Sequence, residues 1–305
     1  MGVLGANYAT IGSVTTTTRG QLSAATGMMV YNTTTGAVEM YDGTAWQTVK
    51  KFTTALSATG GTRTTSGTQT IHTFTSSGEF LVSDAPIGSN APKANVTVLI
   101  VAGGGGGGGS KGFEGGGGGG AGGLIEGSSY PVSVGPYAIT VGGGGAFQSA
   151  SGQNSSAFGA VATYGGYENT QGGSGGGGSG DCCSPPRTGG TSLMPTAPVP
   201  GTGTWTKYGN AGGTGYNQGG GGGGGGAGGA GGNGPGGAPG LGRANSITGA
   251  SVTYARGGGG GYRTPGSPGN CNPSSGDIYS ANSGNGGNVC GSGSPGVVII
   301  SYPTT

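Results

Sequence analysis

Charge is nearly missing from this chain. Of its 305 residues only 7% are Asp, Glu, Lys or Arg, and the net charge is +2. Lysine and arginine are scattered, so no basic run suits a nucleic acid, and there is no acidic tail. Apolar residues make up 31% and nowhere extend to the roughly eighteen consecutive positions of a transmembrane helix. Met1 to Thr10 has neither a positive region nor a long apolar stretch, unlike a secretory signal. Gly2 after Met1 is a weak match to a myristoylation start, given Gly5, Ala6 and Asn7. Heptads and convincing helical periodicity are absent as well.

The chemistry of catalysis is equally thin. There is one histidine, His72, with no motif around it, and it reads as an exposed strand residue. Nine acidic residues offer little for paired-carboxylate chemistry. GxGxxG matches recur, but chance produces them in such a composition, and none has the strand–turn–helix setting of a dinucleotide site. No GxxxxGK[ST] occurs; Ser110-Lys111 follows glycines in the wrong order. The expectation is a non-enzyme that uses no cofactor and no metal. Four cysteines, Cys182, Cys183, Cys271 and Cys290, lack the two short-spaced pairs of a zinc site. One or two disulfides between the 181–190 and 270–290 loops in an oxidising medium, or free thiols, both fit, and spacing does not choose the pairing.

What is present is glycine, at 85 residues, against a usual content of about 7%. Ordering glycine costs more entropy than ordering any other residue, so disorder is the first reading to set aside. Thirteen Tyr, six Phe and two Trp oppose it by offering surface to bury. So do two apolar runs, Val96–Ala102 before Gly103–Gly109, and Gly296–Tyr302 at the far end, which read as partner strands.

In chain order, residues 1–22 are polar and Thr-rich and read as an extended attachment arm. Residues 23–52 hold three short strands, 28–32, 37–41 and 44–49, with a tight turn at Asp42-Gly43. Such a meander is marginal alone and calls for copies of itself or a neighbour. Residues 53–69 read as a linker, and 70–82 as a strand pair turning at Ser77-Gly78. From 70 to 305 glycine tracts alternate with strands, including 131–141, and with three side-chain-rich interruptions. Segment 163–171 offers Tyr164 and Tyr167. Segment 181–217 offers Arg187, Trp205, Tyr208 and Tyr216. Segment 262–282 offers Tyr262, Arg263 and Tyr279. Aromatic rings with polar neighbours on loops suit recognition of a glycan or an outer-membrane protein. The alternative is that they seal the rim of a glycine scaffold.

Two resemblances follow from these residues. Gly27-Met-Met-Val-Tyr-Asn-Thr-Thr-Thr through Tyr41-Asp-Gly-Thr-Ala-Trp46 resembles a β-meander module of phage tail-fibre and appendage proteins. Val98–Gly108, Tyr137–Gly145 and Gly293–Tyr302 resemble the glycine-rich domain of phage tail-fibre and adhesin proteins, over about residues 67–305. That likeness implies an all-β protein: a small N-terminal meander, then a glycine-rich domain with a β framework and packed polyglycine II helices. Side-by-side glycine backbones can bond to one another in several directions, which satisfies them without side chains. Collagen would need a strict Gly-X-Y register, which runs of seven glycines break. The resemblance also implies a tail fibre or fibre-tip adhesin on the virion surface, trimeric, joined to other virion proteins through its N-terminal region and binding a receptor on the bacterial host. A purely structural capsid fibre or decoration protein, and a bacterial surface-matrix protein, are the competing readings.

Overall fold

Thr15 caps a short helix near the N-terminus. Its side chain accepts the Thr18 backbone N–H, and α1 runs Thr16–Gly20 in a Thr-rich stretch of low helix propensity. In the computed structural model the described residues are 11–51, 56–85, 94–109, 115–148, 150–180, 185, 187–194, 203–217, 219–262 and 281–304. The chain divides into two units, one of residues 1–56 with 84–94 and 305, the other of residues 57–83 and 95–304.

The first unit is a four-stranded sheet of β1 (Gly12–Val14), β2 (Met29–Asn32), β3 (Ala37–Tyr41) and β4 (Trp46–Lys51), in that order. The meander β2–β3–β4 follows the expected strands, and Asp42 closes its second turn. One Asp42 carboxylate oxygen accepts the Thr44 and Ala45 backbone N–H groups at 2.8 Å. These bonds, the Ala45 one foremost, hold the carboxyl well below the usual range. The expected extended arm, 1–22, differs: residues 12–14 pair in parallel with β2, and α1 lies on the sheet. An ion pair holds it there. Arg19 donates to Glu39 at 2.6 Å, and Asn32, fully buried, also donates to the Glu39 carboxylate. Burial alone would raise the Glu39 pKa, but the hydrogen bonds from Arg19 and Asn32 outweigh it and keep the group ionised.

The second unit begins inside the expected linker. Residues 53–69 contain β5 (Ser57–Thr59) and β6 (Thr62–Ser66), because β6 finds a ladder partner in β7 (Gln69–Phe74). The expected 70–82 strand pair is also revised: β7 and β8 (Gly78–Asp84) join different sheets. The remaining strands are β9 (Asn95–Val101), β10 (Leu124–Pro131), β11 (Gly135–Ile139), β12 (Ser155–Ala157), β13 (Ala160–Ala162), β14 (Thr204–Tyr208), β15 (Arg243–Asn245), β16 (Val252–Tyr254) and β17 (Val297–Pro303). The main sheet has the order β14-β10-β9-β17-β7-β6. The two apolar runs noted at the outset are neighbours in it, antiparallel with Val98 opposite Ile300. Buried on both faces, they need the continuous apolar pattern they show. One face packs Leu99, Val101, Leu124, Val297 and Ile299 with Tyr254 and Ala255. The other meets the β11-β8-β5 sheet through an aromatic cluster, where Phe80 lies 5.2 Å from His72 and 6.2 Å from Phe158.

His72 is therefore buried, not exposed as its isolation suggested. Its Nδ1 lies 2.7 Å from the Gly60 carbonyl and its Nε2 3.1 Å from the Tyr302 hydroxyl. Burial lowers its pKa; the Gly60 carbonyl opposes this and the Arg63 charge adds to it. With the folded value below the ordinary 6.5, the unfolded chain takes up the proton first as pH falls. Stability is full above about 6.5, declines on acidification, and levels off below the folded pKa. No other histidine shares that window. The urea midpoint of the second unit is expected to drop between pH 7.5 and 5.5, and His72→Gln is expected to flatten that slope.

Candidate functional site

Gly103 leaves the end of β9, and the chain returns to β10 through Gly123, so the glycine tracts run away from the main sheet and back. Within 103–108 the backbone donors repeat every three residues. Gly103 and Gly106 donate to the carbonyls of Gln153 and Ala150, both at 3.0 Å. Gly104 and Gly107 donate to Ser294 and Gly291, and Gly105 and Gly108 to Gly120 and Gly117. The carbonyls accept from three other segments, for instance Gly165 onto Gly103, Gly145 onto Gly104 and Gly287 onto Gly105, each at 2.8 Å. One tract is thus bonded to six neighbours, the arrangement expected of a packed three-residue-per-turn polyglycine helix. Tract 221–226 repeats it, with Gly221 and Gly224 bonded to Gly261 and Gly258, Gly222 and Gly225 to Gly178 and Gly175, and Gly223 and Gly226 to Gly232 and Gly229. The buried interior here is backbone, with every third donor aimed at the same neighbour.

This lattice needs closing at its outer end, where the tracts turn. Glu168 and Asn169 do part of that: Glu168 Oε1 accepts the Gly117 N–H at 2.8 Å, and Asn169 Oδ1 the Ser179 N–H at 2.7 Å. The same end carries exposed side chains. Gly220 forms β-bridges to both Tyr216 and Tyr262, which are 50% and 51% exposed. Arg187, also exposed, accepts the Gly215 N–H on its carbonyl at 2.9 Å, next to Tyr216. Two aromatic rings and a guanidinium carrier are thereby gathered at one end of a rigid support. Cys290, whose N–H bonds to the Gly108 carbonyl at 2.8 Å, is at this end too and is disulfide-bonded.

Of the residues singled out from sequence, Arg187, Tyr216 and Tyr262 come together here. Tyr167 lies at the outer turn preceding Glu168, whereas Tyr164 sits toward the sheet, its N–H held by Asn154 Oδ1 at 2.8 Å. Trp205 and Tyr208 lie on β14, at the edge of the main sheet. Trp205 covers Gly127, where any Cβ would strike its ring, and meets Tyr130 edge-on at 5.6 Å. Tyr208 stacks under the Arg243 guanidinium at 3.6 Å, and Arg243 forks onto Glu126 at 3.0 and 3.1 Å. Burial would raise the Glu126 pKa, but the Arg243 and Asn245 bonds hold it lower. These contacts fasten the β15–β16 hairpin to β10 and use both aromatic side chains as packing. Arg263, Tyr279, Cys182, Cys183 and Cys271 lie outside the described residues. Tyr216 stands between two glycine tracts, at a turn, with no strand to pack on.

Residues 75–303 match the family model of a glycine-rich domain, which covers most of the chain. Residues 9–67 match a phage tail-like trimerisation region. No curated protein sequence matches the chain.

Proposed function

The chain belongs to the glycine-rich domain family, and from this and its trimerisation match it is a phage tail fibre-type protein; we propose that it is a fibre or fibre-tip adhesin that binds the bacterial host surface. Three copies join through the N-terminal region, which also meets other virion proteins, and the glycine-rich units present their outer ends to the host. The protein works by binding, with no catalytic step. The observation that carries this reading is the outer end of the lattice, where Arg187, Tyr216 and Tyr262 are exposed on a scaffold held by backbone bonds in every direction. Aromatic rings give large contact area at low entropy cost, and an arginine adds directional donors toward acidic or hydroxylated groups on a glycan or an outer-membrane protein. A rigid support leaves little ordering to be done on binding.

The test is competition. Purified protein is added to host bacteria before phage, and adsorption is followed. The expected result is a block of adsorption that Tyr216→Ala with Tyr262→Ala weakens at least about tenfold, in line with losing anchor aromatics. The pair is exposed, so the melting temperature is expected to stay unchanged. Protein that binds no cells, and that particle images place on the capsid or the tail shaft, would instead make this a structural fibre.

A further inference from the structure

The four-stranded sheet of the first unit has two unlike faces. Side chains alternate across a strand, so Val30, Asn32, Glu39, Tyr41 and Trp46 share one face. The contacts of α1 agree: Thr16 bonds Asn32, Arg19 bonds Glu39, and the Arg19 guanidinium lies 6.0 Å from the Trp46 ring centre. That face is covered by the chain's own helix. The opposite face carries Met29 directly across from Met40, with Gln47 next in register. Ile11 lies beside Met29, because Gly12 pairs with Val30. Ile11, Met29 and Met40 are 36%, 41% and 37% exposed, and they stand abreast. The row itself is uncharged; at its end Gln47 donates to the Asp42 carboxylate at 2.9 Å, and Lys50 stands opposite Val38 one register position on.

We infer that this Ile11–Met29–Met40 face is the seam at which the N-terminal units of three copies of the chain meet. The inference rests on the trimeric reading of residues 9–67 and adds to it which side of the sheet is used. Self-association around a symmetry axis brings the same patch of each copy to the axis, so a charge there would face its own copies. The Ile11–Met29–Met40 row avoids that cost, with Asp42 and Lys50 at its margins, and the Arg19–Glu39 pair is kept on the side that α1 closes. A sheet this small also needs a second layer to bury its open face. Copies of the same chain provide it, with apolar rows meeting in place of solvent.

The experiment uses the full chain and reads its mass by light scattering across a dilution series. The wild type is expected to be a trimer. Met29→Glu and Met40→Glu each place three like charges at the seam and are expected to weaken assembly at least about a hundredfold, giving monomer with unchanged circular dichroism. Leu241→Glu, an exposed apolar site in the other unit, is expected to remain trimeric. A photo-crosslinking phenylalanine at Gln47 is expected to give covalent dimers and trimers, and one at Leu241 is not. Trimers that persist in both glutamate variants without Gln47 crosslinks would overturn the seam and leave the trimer standing. A wild type that is monomeric at every concentration would overturn the trimer and the seam together.

Discussion

Gly224→Ala is expected to destabilise the glycine-rich unit by about 3 kcal/mol or more, while Gly143→Ala costs less than about 0.5 kcal/mol. Both are glycines in tracts and differ by a single methyl. A Cβ at Gly224 would meet the Gly119 carbonyl carbon and oxygen well inside 3.0 Å. Nothing there is a side chain that can swing away. The strand at 119 is itself bonded to Gly258 and Gly287, so moving it breaks further bonds. Gly224 also donates to Gly258 at 2.8 Å and accepts from Gly240 at 2.8 Å. Displacement leaves buried backbone groups without partners, each costing about 1–3 kcal/mol. At Gly143 the nearest atom to a new Cβ is the Gln153 side-chain oxygen at 3.4 Å, an ordinary contact with a movable group. Thermal unfolding of the two variants checks this, and equal losses would mean that the tracts are not packed through their backbones.

Arg19→Ala is expected to cost the N-terminal unit about 1–3 kcal/mol, since it takes the cation from a carboxylate that has little access to water. Glu39 keeps donors from Asn32 and Thr35 but loses its cation. The sign of its pH response then inverts. In the wild type the carboxyl pKa is lowered, so the pair adds stability above the ordinary carboxylate range and loses it as pH falls through the folded pKa. Without Arg19 the burial that raises the pKa is less opposed, and acid relieves the buried charge. Hydrogen exchange of β2 and β3 peptides in the full chain is expected to show fast exchange in Arg19→Ala at pH 7, with partial recovery near pH 5. Arg19→Met with Glu39→Gln removes both charges and is expected to recover most of the protection.

Strands built from β-branched and apolar runs are legible in the sequence: β9, β17 and the meander follow directly from their residues. The lattice is implied by the resemblance to glycine-rich fibre proteins, and it fits tracts that have only their backbone to satisfy. What escaped was set by distant partners. The threonine and serine of β6 carry no apolar signal and become a strand only because β7 lies beside them. α1 comes from a β-prone threonine run, held by a cap and by Arg19 reaching Glu39 twenty residues away. His72 looked solvent-exposed because its partners, Gly60 and Tyr302, are brought to it by other strands. Trp205 and Tyr208, half-buried on β14, suit either recognition or sealing of the scaffold on sequence alone, and their packing contacts come from equally distant residues. Nothing near them in sequence reveals that Gly127 and Arg243 are the surfaces they cover.

The three-residue repeat of the tracts makes them a reading frame in space. Deleting one residue from 103–108 rotates everything beyond it by about 120°, so each donor is handed to the wrong neighbour. Removing three restores the phase of every face, at the cost of the bonds that the lost turn made to its neighbours. The turns at the outer end obey no such arithmetic, because a loop of any length that leaves and re-enters the frame keeps its phase. Length changes in a tract therefore keep phase only in steps of three, whereas the turns carry no such constraint on phase.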